Sequence, residues 1–399
     1  MIDSIEYWLV LAATVVVFWA LPAKLRYGFL ALASFAYLFT LEPAGVSTLA
    51  FWTLLFFYVT PTADSNARFG RQILAALIIT ILCYLAWFKY IPPLTHALRG
   101  ETGYLAFAIP LGISYLTFKL IHYAIEIRRG NIQKHSVADF ASYMYLFPIF
   151  SAGPIERFDH YLTHRELKWN RDSTVEGLTR IVQGLVKKFA IAGMLLQPLF
   201  VSASGAENVT ELLDNLASHS ALDVWLFMCL VYLVAYMDFS AYSDIAIGAS
   251  RLFGIRIMEN FNFPIIAPNI GNFWKRWHMT LAGWCQAYVY MPTIGLSRNL
   301  YLAIFSTFFV IGLWHAGAWN WIVWGLYNAM GVSVYLTWAR VKRLRRWKHL
   351  DGGMWRFAGI PVTFLFVAAG FTFTVTHGMS GVYSSFRIFA KLFGVDLDV

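Results

Sequence analysis

Chemistry in this chain starts with histidine. There are ten, and most lie in loops where a solvated imidazole is ordinary. Three do not: His122, His278 and His315. His315 sits in GLWHAGAWNWIVWGLYNA (312–329), at the join of two apolar runs. Its neighbours are Gly, Ala, Trp and aliphatic side chains, with Asn320, Tyr327 and Asn328 as the other polar groups. An ionisable residue inside such a stretch is costly and marks a functional site by default. Imidazole also takes and gives a proton near neutral pH. Gly312, Gly317 and Gly325 would let helices or a ligand approach closely. The plain alternative is a buried histidine bonded to a backbone carbonyl.

His278 lies in NFWKRWHMTLAGW, where Trp274, Trp277 and Trp284 surround Lys275 and Arg276. An interfacial aromatic-and-basic anchor accounts for the Trp and Lys/Arg residues. It leaves the histidine unexplained, and with it the preceding Asn260, Asn262 and Pro264. The functional reading is a helix entering the protein beside an anionic thioester or carrier group, with Arg276 on a phosphate. Asp238 and Asp244 flank Ser240, Tyr242 and Ser243, which suits helix capping or a hydrogen-bonded network as well as substrate binding. His122 follows Lys119 in PLGISYLTFKLIHY and is a further interior candidate. Walker loop, GxSxG, HExxH and GxGxxG patterns are absent, so neither nucleotide cradle nor metal site is expected.

The elements that must position these residues are apolar helices. Of 399 residues, 59% are hydrophobic and 13% charged, against about 25% charged in soluble chains. So few charges cannot clothe a water-soluble globule, and disorder is excluded by the same numbers. The apolar runs are continuous rather than alternating, which argues against a β-barrel. They fall near 7–22, 27–41, 46–61, 73–91, 105–125, 176–201, 222–240, 300–316, 318–338 and 357–376. Each approaches the ~20 residues that cross a bilayer. Lys187 and Lys188 interrupt the run at 176–201.

Residues 135–158 have an apolar centre between basic clusters and contain Pro148, Gly153 and Pro154, which predicts a re-entrant segment. The polar, aromatic-rich stretch 238–299 predicts short helices at the cytoplasmic face. Cysteines 83, 229 and 285 form no pair and read as packing residues. Asp3 and Glu6 stand where a signal peptide would be basic. The net charge of +9 gathers in loops such as Arg128, Arg129 and Lys134, or Arg340, Lys342, Arg343, Arg345 and Arg346. That is a cytoplasmic-loop pattern rather than a nucleic-acid surface, and it places the N-terminus on the extracytoplasmic side.

Four ordered segments carry a resemblance: PLGISYLTFKLIHY (110–123), FPIFSAGPIERF (147–158), 237–284, and 312–329. Together they resemble the membrane-bound O-acyltransferase family, closest to its bacterial polysaccharide branch. That branch holds the alginate O-acetyltransferase membrane subunit and the D-alanyl transfer protein of teichoic acid modification. The resemblance covers about 105–330 within a single membrane domain over 1–399. It implies an all-α polytopic membrane fold of ten to eleven helices, with re-entrant and short interfacial helices around a central funnel. The family's catalytic histidine carries over to His315, in Trp314-His315-Ala316-Gly317, and its second histidine to His278. Where the alginate branch continues with an Arg-Asp pair, this chain has Gln286-Ala287.

The resemblance implies an enzyme that moves an acyl group, acetyl foremost, from a cytoplasmic thioester to an extracytoplasmic polysaccharide or cell-wall hydroxyl. His315 would be general base, or the nucleophile of an acyl-histidine. His278, with Arg276 or Asn260, would position the donor or stabilise an oxyanion. Trp277, Trp314, Asp238, Tyr242 and Asn328 are further substrate-binding candidates. The donor is acetyl-CoA or an acyl-carrier thioester, with no bound cofactor and no metal. Partners would be an extracytoplasmic or membrane-anchored transfer protein, a cytoplasmic acyl carrier and the bilayer. D-Alanyl transfer from a carrier thioester is the alternative within the class. A secondary transporter or flippase is the alternative outside it, weakened by the absence of two related halves.

Overall fold

A backbone in an apolar medium must satisfy its own N–H and C=O groups, so continuous apolar runs become helices. The structure is a computed structural model that describes residues 2–63, 67–98, 109–347, 352–379 and 381–397. Among these the regular structure is helical, with one isolated antiparallel bridge between Arg165 and Ile255. Residues 105–108 of the fifth apolar run, and the basic-loop residues Lys348 and His349, lie outside the described set.

Three described helices have the length and apolarity to cross a membrane: Phe69–Lys89, Ala221–Leu252 and Gly353–Val375. A fourth span results if Arg171–Leu196 and Leu199–Asp214, bent by 42°, count as one. Ile5–Ala20, Pro43–Val59 and Leu300–His315 are shorter apolar helices.

Two compact units emerge, and each is described on its own. The first comprises the described residues of Met1–Pro92, Phe107–Leu185 and Tyr242–Glu259. Here 135–158 is not a single helix. Val137–Tyr145 is capped by a Ser136/Asp139 box, Phe147–Ile149 makes one tight turn, and extended backbone leads to Phe158–Thr163. This broken backbone is buried and wired to its surroundings. Lys119 Nζ donates to the Tyr143 carbonyl at 2.9 Å, Tyr143 Oη to the Glu156 carbonyl at 2.8 Å, and the Phe158 N–H to His122 Nε2 at 3.0 Å.

One expectation needs correcting. The stretch from 238 was read as short interfacial helices, but Ala221–Leu252 is one helix of 32 residues. Its charges are matched in space. Asp244 meets Arg180 at 2.8 Å, and Arg251 meets Glu166 and Glu176 at 3.0 and 2.9 Å. A charge so paired does not end a helix, and no linear pattern reveals the pairing. Short elements begin only later, at Pro264–Ile266, Ile270–Phe273 and Met279–Cys285.

The second unit comprises the described residues of Pro93–Ala106, Val186–Ala241 and Asn260–Val399. Lys187 and Lys188, which interrupt the apolar run, lie in a π-helical stretch, Val186–Leu196. The centre of this unit is the hairpin of Leu300–His315 and Trp319–Leu344. A Cβ on Gly312 would stand 2.3 Å from the Trp321 carbonyl oxygen, and one on Gly325 2.5 Å from that of Phe308. The two backbones touch only because both positions are glycine. Asn320 Nδ2 ties the start of the second helix to Thr376 Oγ1 (3.1 Å) and Ser385 Oγ (2.9 Å), all buried. Ser385 belongs to a C-terminal helix, Val382–Lys391, absent from the apolar runs.

Candidate active site

The glycine-tight hairpin fixes His315. It is the last residue of its helix, and the chain reverses through 316–318 into Trp319. Its half-buried ring stacks on Trp321, centroids 4.1 Å apart and planes 13° apart. Trp314 and Trp324 approach at 4.7 and 5.5 Å. A ring that gains a proton there meets indole π-systems and the carbonyl end of a helix, both favourable to cation.

His278 is built differently. It precedes the Met279–Cys285 helix with φ 43° and ψ 52°, left-handed backbone for a non-glycine residue. Such strain costs about 1–3 kcal/mol and persists only where the surroundings impose it. They do so through Asn260. The Met279 N–H donates to the Asn260 carbonyl at 2.9 Å. Asn260 Oδ1 accepts from the Thr280 hydroxyl at 2.8 Å and the Thr280 N–H at 3.4 Å, and lies 3.0 Å from His278 Nδ1. An oxygen already serving donors makes Nδ1 the protonated nitrogen. Nε2 is left with a lone pair, buried, and without a partner among the described residues. Burial pushes the His278 pKa down to about 3, so the ring is neutral.

The two histidines are neighbours across one side chain. The Trp314 indole lies 4.7 Å from the His315 ring and 5.9 Å from the His278 ring. Phe239 closes the other side of His278 at 4.9 Å. His315, His278, Trp314 and Asn260 thus converge.

The other candidates are placed otherwise. Arg276 is held by Asn272 Oδ1 (2.6 Å) and the Asn262 carbonyl (3.3 Å). Trp277 packs among Phe261, Phe273 and Tyr232. Asn328 donates to the Trp324 carbonyl of its own helix at 2.9 Å. Asp238 is exposed and paired with Lys188 at 2.8 Å. Tyr242 belongs to the first unit and bonds to the Ser151 hydroxyl. Trp321, Trp324, Phe239 and Thr280 were not singled out from sequence. The Trp residues lie in an aromatic-rich run, and only the tight Ala-Gly-Ala connector hints that Trp321 folds back on His315.

The sequence model of the MBOAT, membrane-bound O-acyltransferase family, matches residues 45–376. The chain belongs to this family. Its match runs through His278, His315 and Asn260. Among named relatives, the probable alginate O-acetylase AlgI of Pseudomonas aeruginosa is 33% identical over 74% of this chain and 57% of its own length. The teichoic acid D-alanyltransferase of Bacillus subtilis is 28% identical over 86% of this chain and 88% of its own. The peptidoglycan O-acetyltransferase of Helicobacter pylori is 28% identical over 59% and 49%. The chain spans about half the length of the alginate relatives that it matches. Gln286 opens a π-helical turn, Gln286–Tyr290.

Proposed function

We propose that this chain transfers an acyl group, acetyl foremost, from a cytoplasmic thioester to hydroxyls of an extracytoplasmic polysaccharide or cell-wall polymer. The observation that carries the reading is the pair of imidazoles sharing the Trp314 indole in a member of an O-acyltransferase family. His315 takes the proton of the acceptor hydroxyl as its oxygen forms the new bond to the thioester carbon. The carbon–sulfur bond then breaks, and His315 returns the proton to the departing thiolate. The stacked Trp321 supports the transient imidazolium. His278 presents an Nε2 lone pair and so accepts a hydrogen bond from a different O–H or N–H of the bound substrates, orienting them while His315 takes the reacting proton. The oxyanion then calls on N–H donors, and the buried Trp274 and Trp321 indole N–H groups have no partner among the described residues.

The reading extends to ten to eleven membrane helices around a funnel, with the N-terminus outside. It includes a membrane-anchored or extracytoplasmic partner that completes delivery to the polymer. D-Alanyl transfer from a carrier-protein thioester is the second reading. It is favoured by alignment over 88% of the Bacillus subtilis D-alanyltransferase, against 57% of the Pseudomonas aeruginosa alginate relative.

Labelled acetyl-CoA and a D-alanyl-loaded carrier, offered separately to purified wild type and His315→Ala, test both. Acetyl release or transfer that the variant lacks supports the first reading. Response to the carrier alone moves the chain to the second. Equal turnover by the well-folded variant removes His315 from the chemistry.

A further inference from the structure

Away from the histidines, the hairpin that carries His315 forms a concave feature at its opposite end. A groove of about 820 Å³ is lined by Ser297, Arg298, Asn299, Leu300 and Tyr301, and by Leu336, Ala339, Arg340 and Arg343. Three of these are arginines and none is a carboxylate. Three arginines of the first unit, by contrast, are neutralised: Arg165 by Asp139, Arg180 by Asp244 and Glu259, Arg251 by Glu166 and Glu176. No ion pair or side-chain hydrogen bond engages Arg298, Arg340 or Arg343 among the described residues. Arg298 also holds left-handed backbone, φ 53°, at the end of Met291–Ser297. Guanidinium groups gathered in a groove without counter-ions suit a phosphate, which they bind through paired N–H donors.

The surroundings say which kind of phosphate. Leu296, Leu302, Val334 and Leu344 are exposed apolar side chains on the same elements. Tyr301 and Trp338 are exposed as well, and Trp338 packs against Trp347 at 5.8 Å. Exposed Tyr and Trp beside basic residues mark the depth of lipid headgroups, and basic pockets between helices at that depth hold anionic heads. A free phosphate has no use for the apolar flanks, and an acidic protein surface would not lie along them.

We propose that this groove is a binding site for an anionic phospholipid, its phosphate between Arg298, Arg340 and Arg343 and its acyl chains along Leu302 and Val334. The site is separate from the acyl-transfer chemistry and does not depend on it.

The test is thermal unfolding of the full chain in neutral detergent, with added phosphatidylglycerol, phosphatidylcholine or inorganic phosphate. Phosphatidylglycerol should raise the midpoint by roughly 3–6 °C at saturation, and phosphatidylcholine by much less. Arg298→Gln/Arg340→Gln should lose the phosphatidylglycerol response. Arg345→Gln/Arg346→Gln, which removes the same charge outside the groove, should keep it. Equal loss in both double variants would reduce the effect to diffuse charge and overturn the site. An equal response to inorganic phosphate would overturn the lipid. An unchanged response in the groove variant would overturn the assignment of these arginines.

Discussion

Two polar regions of this protein contrast sharply. In the first unit, charges come in matched sets. Glu156 takes His160 Nδ1 at 2.6 Å and the Met258 N–H at 2.8 Å, and Arg180 bridges Asp244 and Glu259. Around His278 and His315 several buried polar atoms have no partner among the described residues: His278 Nε2, Trp274 Nε1 and Trp321 Nε1. Polar density marks structure in one place. Buried polar atoms without a partner occur in both regions, Glu166 Oε2 and Arg180 Nε among them in the first; what sets the second apart is His278 Nε2 on left-handed backbone, which supports the proposed chemistry there. Variants in the first region should therefore change stability and spare turnover, and variants in the second should do the reverse.

The largest effect falls on His315. His315→Ala should lower acyl transfer by about 10³-fold or more while the unfolding midpoint stays within a few degrees. A comparable loss of stability would place His315 with the matched charges instead. Next comes His278→Ala, for which a fall of about 10²-fold is expected in a labelled-donor assay. Because His278 is already neutral near pH 7, any acid limb in the pH–rate profile belongs to another group, and the limb should persist in His278→Gln.

Asn260→Ala sits on the border between the two classes. It removes the shared acceptor of the Thr280 hydroxyl and leaves the His278 Nδ1–H buried without one, at a cost of about 1–3 kcal/mol. Unfolding and turnover measured together should both fall. Glu156→Gln should cost about 1–3 kcal/mol in unfolding experiments, with kcat per folded molecule unchanged.

The smallest effect is a pH dependence. Burial opposes charge on His160, but Glu156 overcomes it and raises the His160 pKa. A raised histidine pKa gives stability that is complete below the unfolded value, near 6.5, and lost as pH rises through the folded value. Midpoints of wild type should therefore fall slightly above neutrality, and His160→Gln should flatten that slope.

Much of this was legible in the chain. His315 and His278 stood out because an imidazole in an apolar run has few bland uses, and Asn260 because the anchor reading left it over. Trp314 came with the motif. Asp238 and Tyr242 have partners that the sequence does not show. Their polarity is answered locally, by Lys188 and Ser151, and such answers lie about 50 or 90 positions away. The extension of one helix to Leu252 was hidden for the same reason. Trp321 was invisible because its role comes from a reversal at 316–318, and nothing in its residue type separates it from the other Trp residues nearby.

That long helix carries a consequence for the bilayer. At 1.5 Å per residue, its 32 residues extend about 48 Å, well beyond a hydrocarbon core of about 30 Å. Tilting within the usual range, up to about 40°, does not absorb the excess. Helix length therefore does not set its depth. The change from apolar to charged residues at Asp238 is then expected to set it, with bilayer thickness matched by the length of apolar helix ahead of Asp238. Inserting apolar residues ahead of Asp238 should retune the membrane thickness at which the protein is most stable.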